Sequence, residues 1–150
     1  MDGRRARVIH LDFGSGRYAF RLPMARIIEI ERVCGDKSIV TMYEELSAGI
    51  GIERDTDVTR FLGTGPIRIK DVYEIIRCAA IGGGEAEIAG ETVKVSPSDA
   101  ARLVADYVDG RPYTESVPVA WAILNDALLD VRLKKKADQA ASENPTDAAA

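Results

Sequence analysis

The sequence predicts an α+β fold, an N-terminal β-hairpin packed on about five short amphipathic helices. Two observations carry this prediction. Residues Val8 to Leu22 alternate apolar and polar side chains at strand period around a glycine-rich turn, whereas the apolar residues beyond Pro23 recur mainly at helical spacing. A bare hairpin is marginal in water and needs an apolar cover, which the following helices supply.

The hairpin reads best with Ser15-Gly16 as a two-residue turn. Phe13 then opposes Tyr18, Leu11 opposes Phe20 and Ile9 opposes Leu22, so every large apolar residue meets another on one face. His10, Asp12, Arg17 and Arg21 fall elsewhere. A slip of one residue destroys the match, so the face is strongly specified. These six apolar residues form the expected core of the hairpin.

Pro23 suits a first helical position because it has no N–H to lose. Met24, Ile27, Ile28 and Cys34 follow at helical spacing, with Ile27 and Ile28 as expected core, and Gly35 closes the run. This helix is expected to fold back over Ile9, Leu11 and Phe13. Ser38 can cap a second helix carrying Ile39, Met42, Tyr43 and Leu46. Residues 48–65 resist a single assignment, although Val58, Phe61 and Leu62 allow one short helical turn.

Ile67 and Ile69 read as briefly extended. A helix from about Lys70 then presents Val72, Tyr73, Ile76 and Ala80, and Gly82-Gly83-Gly84 stops it and reads as a flexible connection. Ile88, Val93 and Val95 around Gly90 admit a small second hairpin. Ser96-Pro97-Ser98-Asp99 opens the next helix with a capping serine, a proline at the first position and an acid in the first turn. Leu103, Val104, Tyr107 and Val108 give its buried face, and Gly110 closes it. The last helix starts near Ser116 to Pro118 and buries Val117, Trp121, Leu124, Leu128 and Val131, with Asn125, Asp126 and Asp130 opposite. Lys134 to Lys136 suit its C-terminal end. Residues 1–136 therefore form one domain, and residues 137–150, which lack any large apolar side chain, form an expected disordered tail.

Composition narrows the function. Hydrophobic content of 46% and charged content of 29% in 150 residues are ordinary for a soluble domain. A net charge of −4 gives no broad basic field, which argues against nucleic acid as the main partner. No apolar run reaches the length of a membrane span or a secretion signal, so a cytoplasmic setting is expected. Cys34 and Cys78 lie far apart in apolar contexts and read as small buried hydrophobes.

No catalytic, cofactor or metal constellation emerges. Gly14-Ser15-Gly16 is followed by a strand, where a phosphate-binding turn needs a helix N-terminus and a lysine. His10 is the only histidine and has no partner for metal or proton transfer, so it reads as a surface strand residue. Glu44-Glu45, Asp55 with Asp57, and Asp106 with Asp109 read as solvated acids. Leu129 and Leu133 lie off the last helix's buried stripe, beside Lys134 and Lys135. These four residues form a candidate partner surface, with packing against earlier helices as the alternative use.

Several local features recur together: the hairpin Val8–Phe13/Arg17–Leu22, a helix ending in Val33-Cys34-Gly35, and Ile69-Lys70-Asp71-Val72 entering a helix. Gly82-Gly83-Gly84, the Ser96-Pro97-Ser98-Asp99 start and the closing Pro118-Val119-Ala120-Trp121-Ala122-Ile123-Leu124 complete the series. In this order, over about Arg7 to Leu133, the chain resembles the small tail proteins of gene transfer agents and related tailed phages, classed with tail-assembly chaperones. Residues 85–95 depart from the resemblance, looking like an insertion between two helices. The resemblance implies a non-enzymatic bacterial protein that covers apolar surfaces of the tape-measure protein or the tail-tube protein during assembly, with self-association open to it. The alternative is a structural subunit retained in the tail tube or its end. A regulatory DNA-binding module is disfavoured by the acidic balance.

Overall fold

The computed structural model describes residues 7–53, 55–56 and 58–129. Strands β1 (Val8–Phe13) and β2 (Gly16–Arg21) lead into helices α1 (Met24–Val33) and α2 (Ile39–Ala48). A short ribbon, β3 (Ile50–Ile52) and β4 (Thr59–Phe61), follows, then α3 (Ile69–Gly83). A second hairpin, β5 (Glu85–Ile88) and β6 (Glu91–Lys94), precedes α4 (Pro97–Tyr107) and α5 (Ser116–Leu129). The fold is α+β, with a four-stranded antiparallel sheet in the order β1-β2-β5-β6 and a separate β3-β4 sheet.

The hairpin face is the expected one, but the turn sits one residue earlier. Gly14 and Ser15 form it, so Phe13 opposes Gly16, Leu11 opposes Tyr18 and Ile9 opposes Phe20. Positive φ at Gly14 (58°) and not at Ser15 follows the type II′ pattern, which matches strand twist. Pairing large residues with one another overlooked what lies beyond the hairpin. A Cβ on Gly16 would stand 2.5 Å from the Glu87 carbonyl oxygen and 2.7 Å from the Ile88 side chain. Glycine at this position is therefore what lets β5 approach β2. Phe13 finds its aromatic partner in Tyr107 of α4, edge-on at 6.1 Å.

The cover also differs from expectation. Helix α3, not α1, lies against β2, and α1 packs chiefly on α3. Ile30 is the fully buried residue of α1, Ile27 is partly buried, and Ile28 is 56% exposed, which removes Ile28 from the core. With α3 occupying the sheet, α1 is a second layer and buries a narrower stripe than a covering helix would. The glycine run is no flexible link. Gly82 and Gly83 are helical, Gly84 caps the helix at φ 73°, and side chains on Gly82 and Gly83 would collide with the carbonyls of Arg21 and Ala19. Ile69 is the first residue of α3 rather than extended chain.

Two predicted helix starts are present. Ser38 Oγ accepts from Val40 N at 3.1 Å. At α4, Ser96 Oγ accepts from Asp99 N (3.1 Å) while Asp99 accepts from Ser96 N (2.9 Å), a reciprocal capping box. The second hairpin turns at Ala89-Gly90, both with positive φ as a type I′ turn requires. Residues 48–65 form the β3-β4 ribbon in place of a helical turn.

Of the remaining expected core, Phe13, Tyr18, Phe20, Leu22 and Leu124 are buried, and Ile9, Leu11, Trp121 and Leu128 are partly buried against them. The polar side of α5 does not face open water. Asn125 Oδ1 accepts from Tyr43 OH at 2.8 Å, and Asp126 pairs with Arg7 at 3.5 Å. Trp121 stacks on Tyr43 and donates to Ser47 Oγ at 3.0 Å, fixing α2 on α5. The tail 137–150 lies outside the described residues.

Candidate functional site

Two charged clusters hold the helical layer together. Lys37, in the α1–α2 connection, places Nζ 2.6 Å from Asp71 and 2.7 Å from Glu45. Burial alone would lower the Lys37 pKa, but hydrogen bonds from its ammonium to Asp71 and Glu45 outweigh that and raise it. Nearby, Arg77 bonds Glu74 (2.7 Å) and Glu29 (3.1 Å), and Glu29 also pairs with Arg26 at 2.7 Å. Hydrogen bonding to Glu74 outweighs burial and raises the Arg77 pKa. Every charge in these clusters has an opposite partner, so they act as interlayer ties between α1, α2 and α3. They were not singled out in the sequence, although Asp71, Glu74 and Arg77 recur at three-residue spacing along an otherwise apolar helix.

The cysteines are likewise structural. Cys34 and Cys78 are free and buried. Burial, followed by the Asp71 carboxylate, pushes the Cys34 thiol up to about 12, and burial pushes Cys78 up to about 11. A thiolate nucleophile needs the opposite environment. His10 is exposed on β1. No cluster of metal-binding side chains occurs among the described residues, and no helix in them is long and apolar enough to cross a membrane.

The remaining features are surfaces. Strands β1 and β6 bound the four-stranded sheet, and the outer edge of each pairs with no strand among the described residues. Between the second hairpin and α4 lies a cleft of about 350 Å³. Tyr18, Ile88, Val93, Leu103 and Tyr107 line it together with the charged Lys94, Asp99, Arg102 and Asp106. Large apolar residues are exposed elsewhere, including Met24 and Ile28 on α1 and Ile52, Val58 and Leu62 on the β3-β4 ribbon. Leu129, from the expected partner surface, is 55% exposed at the end of α5, whereas Leu133, Lys134 and Lys135 lie outside the described residues. The cleft and the ribbon were missed because the elements that form them come together only in the tertiary structure.

Among the described residues the arrangement offers exposed apolar surface and two sheet edges, features suited to association. The model of the family described as phage tail tube protein, GTA-gp10, matches residues 7–130, most of the chain. No curated protein and no solved structure matches the chain. The family is a structural one, and its description speaks for the retained-subunit alternative over a transient chaperone.

Proposed function

Because this chain belongs to the GTA-gp10 family of phage tail tube proteins, we propose that it is a structural subunit built into the particle tail, in the tube or at its end. The observation that carries this reading is the open antiparallel sheet. Strand directions alternate across β1, β2, β5 and β6, so β6 of one copy beside β1 of the next again makes an antiparallel pair. A head-to-tail contact of this kind closes into a ring when the rotation permits. An unpaired edge is a ready template for such pairing.

The expected tape-measure partner gains no support from the family description. Leu129 with Leu133, Lys134 and Lys135 stays a proposed contact for other tail components. Mass spectrometry of purified particles and of assembly intermediates tests the reading. Stoichiometric retention in finished particles supports a tail subunit. Presence in intermediates with near absence from particles would overturn it in favour of a chaperone.

A further inference from the structure

A strand edge pairs through the backbone groups that point away from its existing neighbour, and in an antiparallel ladder these belong to alternate residues. The two tight turns fix which ones. Phe13 and Gly16 close the first turn, so the N–H and C=O groups of Ile9, Leu11 and Phe13 point to β2, and those of Val8, His10 and Asp12 point outward. Ile88 and Glu91 close the second, which turns Glu91 and Val93 toward β5 and leaves Thr92 and Lys94 outward. Val95 N donates to the Gly84 carbonyl at 2.9 Å, continuing the same alternation. All five outward residues are exposed, and their outward main-chain groups have no partner among the described residues.

We infer that β6 of one copy pairs with β1 of the next in a single register, with Thr92 opposite the partner's Asp12 and Lys94 opposite the partner's His10. The inference rests on the tail-subunit reading and adds to it the residues that meet.

Outward groups meet only when Thr92 and Lys94 fall opposite outward residues of β1, and two such registers pair the whole of β6. In the one inferred, Val93 lies beside the partner's Leu11 and Val95 beside the partner's Ile9. All four pack toward the helices in their own copy, so the helix-covered face runs on unbroken. Glu91 then falls at the last rung, beside the partner's turn. Sliding by two residues sets Glu91 against the partner's Leu11 in mid-ladder and Lys94 against the partner's Val8. A slip of one residue sends every side chain to the wrong face. A two-fold contact of β1 with β1 also matches Ile9 with Leu11, but it leaves β6 open in both copies. Head-to-tail pairing covers both edges of every copy.

The test uses Thr92→Cys, Asp12→Cys and His10→Cys, made singly in the full chain at exposed positions, with circular dichroism to confirm folding. Variants are mixed in pairs at high concentration and oxidised, and mass spectrometry maps the covalent products. Cys34 and Cys78 are buried, and wild type gives their background. Directly opposite residues in this register stand about 5.5 Å apart, within disulfide reach, and the diagonal Thr92–His10 pair about 7–8 Å apart. The Thr92–Asp12 mixture is expected to cross-link roughly tenfold faster than Thr92–His10, or than any variant with itself. Faster Thr92–His10 linkage would mean the slid register, and faster linkage of one variant to itself a two-fold contact. Either outcome, or no heterodimer at all, overturns the inference. Retention in particles is measured separately. A chain retained there that fails to cross-link keeps the tail reading and loses this interface, whereas cross-linking by a chain absent from particles keeps the interface and loses the tail reading.

Discussion

Gly83 lies so close to Ala19 that any side chain on the glycine would occupy the place of the Ala19 carbonyl oxygen. Helix α3 therefore meets β2 backbone to backbone. The neighbouring Gly82 is held the same way at Arg21, whose Nε donates to the Gly82 carbonyl at 3.0 Å. The join fixes where the second hairpin enters the sheet, and so positions both the cleft and the β6 edge.

Gly83→Ala separates two opposing effects. Helix propensity alone favours alanine by about 1 kcal/mol in a helix interior. Steric displacement of the strand opposes it: overpacking costs about 1–3 kcal/mol, and a Cβ here would stand 1.7 Å from the Ala19 carbonyl oxygen, which the backbone must move to relieve. We expect net destabilisation, read as a lower urea midpoint. A stabilised variant would mean that α3 and β2 are not in backbone contact.

Removing one partner of a buried ion pair is costly because the other is left desolvated and unpaired. Lys37→Met strands Asp71, which is 3% exposed, and is expected to cost about 3–5 kcal/mol in chemical denaturation. Lys37→Met with Asp71→Leu removes both charges and is expected to recover most of that loss. If the double variant is no more stable than the single, the cost lies in packing rather than in the stranded carboxylate.

Much of this fold is legible locally, and the failures share one cause. Ser38 and Ser96 cap as their short-range chemistry dictates, and the face of β1 follows from the alternation of Ile9, Leu11 and Phe13. The turn at Gly14-Ser15 is misplaced by local reasoning because Gly16 answers to Glu87 and Ile88, far along the chain. Gly82 and Gly83 look like punctuation until Ala19 and Arg21 are brought against them. Ile28 looks like core because the identity of the covering helix is a tertiary fact. The strands β3 and β4 are too short and glycine-broken to show a period, so the ribbon that exposes Val58 and Leu62 is visible only in three dimensions.

The α4 capping box predicts an acid-side effect. The backbone N–H of Ser96 and then its hydroxyl hold the Asp99 carboxyl below its ordinary range. A lowered folded-state pKa contributes stability above the unfolded value and loses it as pH falls through the folded value. Asp99→Asn should therefore flatten the acid limb of a stability–pH curve. Ser96→Ala should cost about 1 kcal/mol at neutral pH. An Asp99→Asn profile parallel to wild type at low pH would remove the carboxylate from the cap.

Ser116 reverses the usual expectation for a polar-to-apolar change. Its hydroxyl is fully buried at the start of α5 and has no hydrogen-bond partner among the described residues. Burying an unsatisfied hydroxyl costs on the order of 1–3 kcal/mol. Ser116→Ala deletes that cost and removes little volume. We expect a melting temperature equal to or above wild type, and a clear drop would show that the hydroxyl is hydrogen-bonded in solution.

The alkaline limb should be set by the buried thiols together with Lys37. Cys34 rises from an ordinary value of 9.0 to about 12 and Cys78 to about 11, both chiefly through burial. Between those values the unfolded chain has ionised its thiols while the folded chain has not. A raised folded-state pKa thus gives stability that is complete below about 9 and is lost as pH climbs toward 11 and 12. Lys37 acts in the same direction, its raised pKa protecting the fold until pH passes its folded value. Cys34→Ala with Cys78→Ala should therefore show a shallower decline above pH 9 than wild type, whatever its stability at neutral pH. The thiols should also react with a disulfide reagent only through opening of the fold, because each is buried and neutral. Labelling rates that rise with added urea in step with unfolding fit this account. Fast native-state labelling independent of urea would place at least one thiol at the surface.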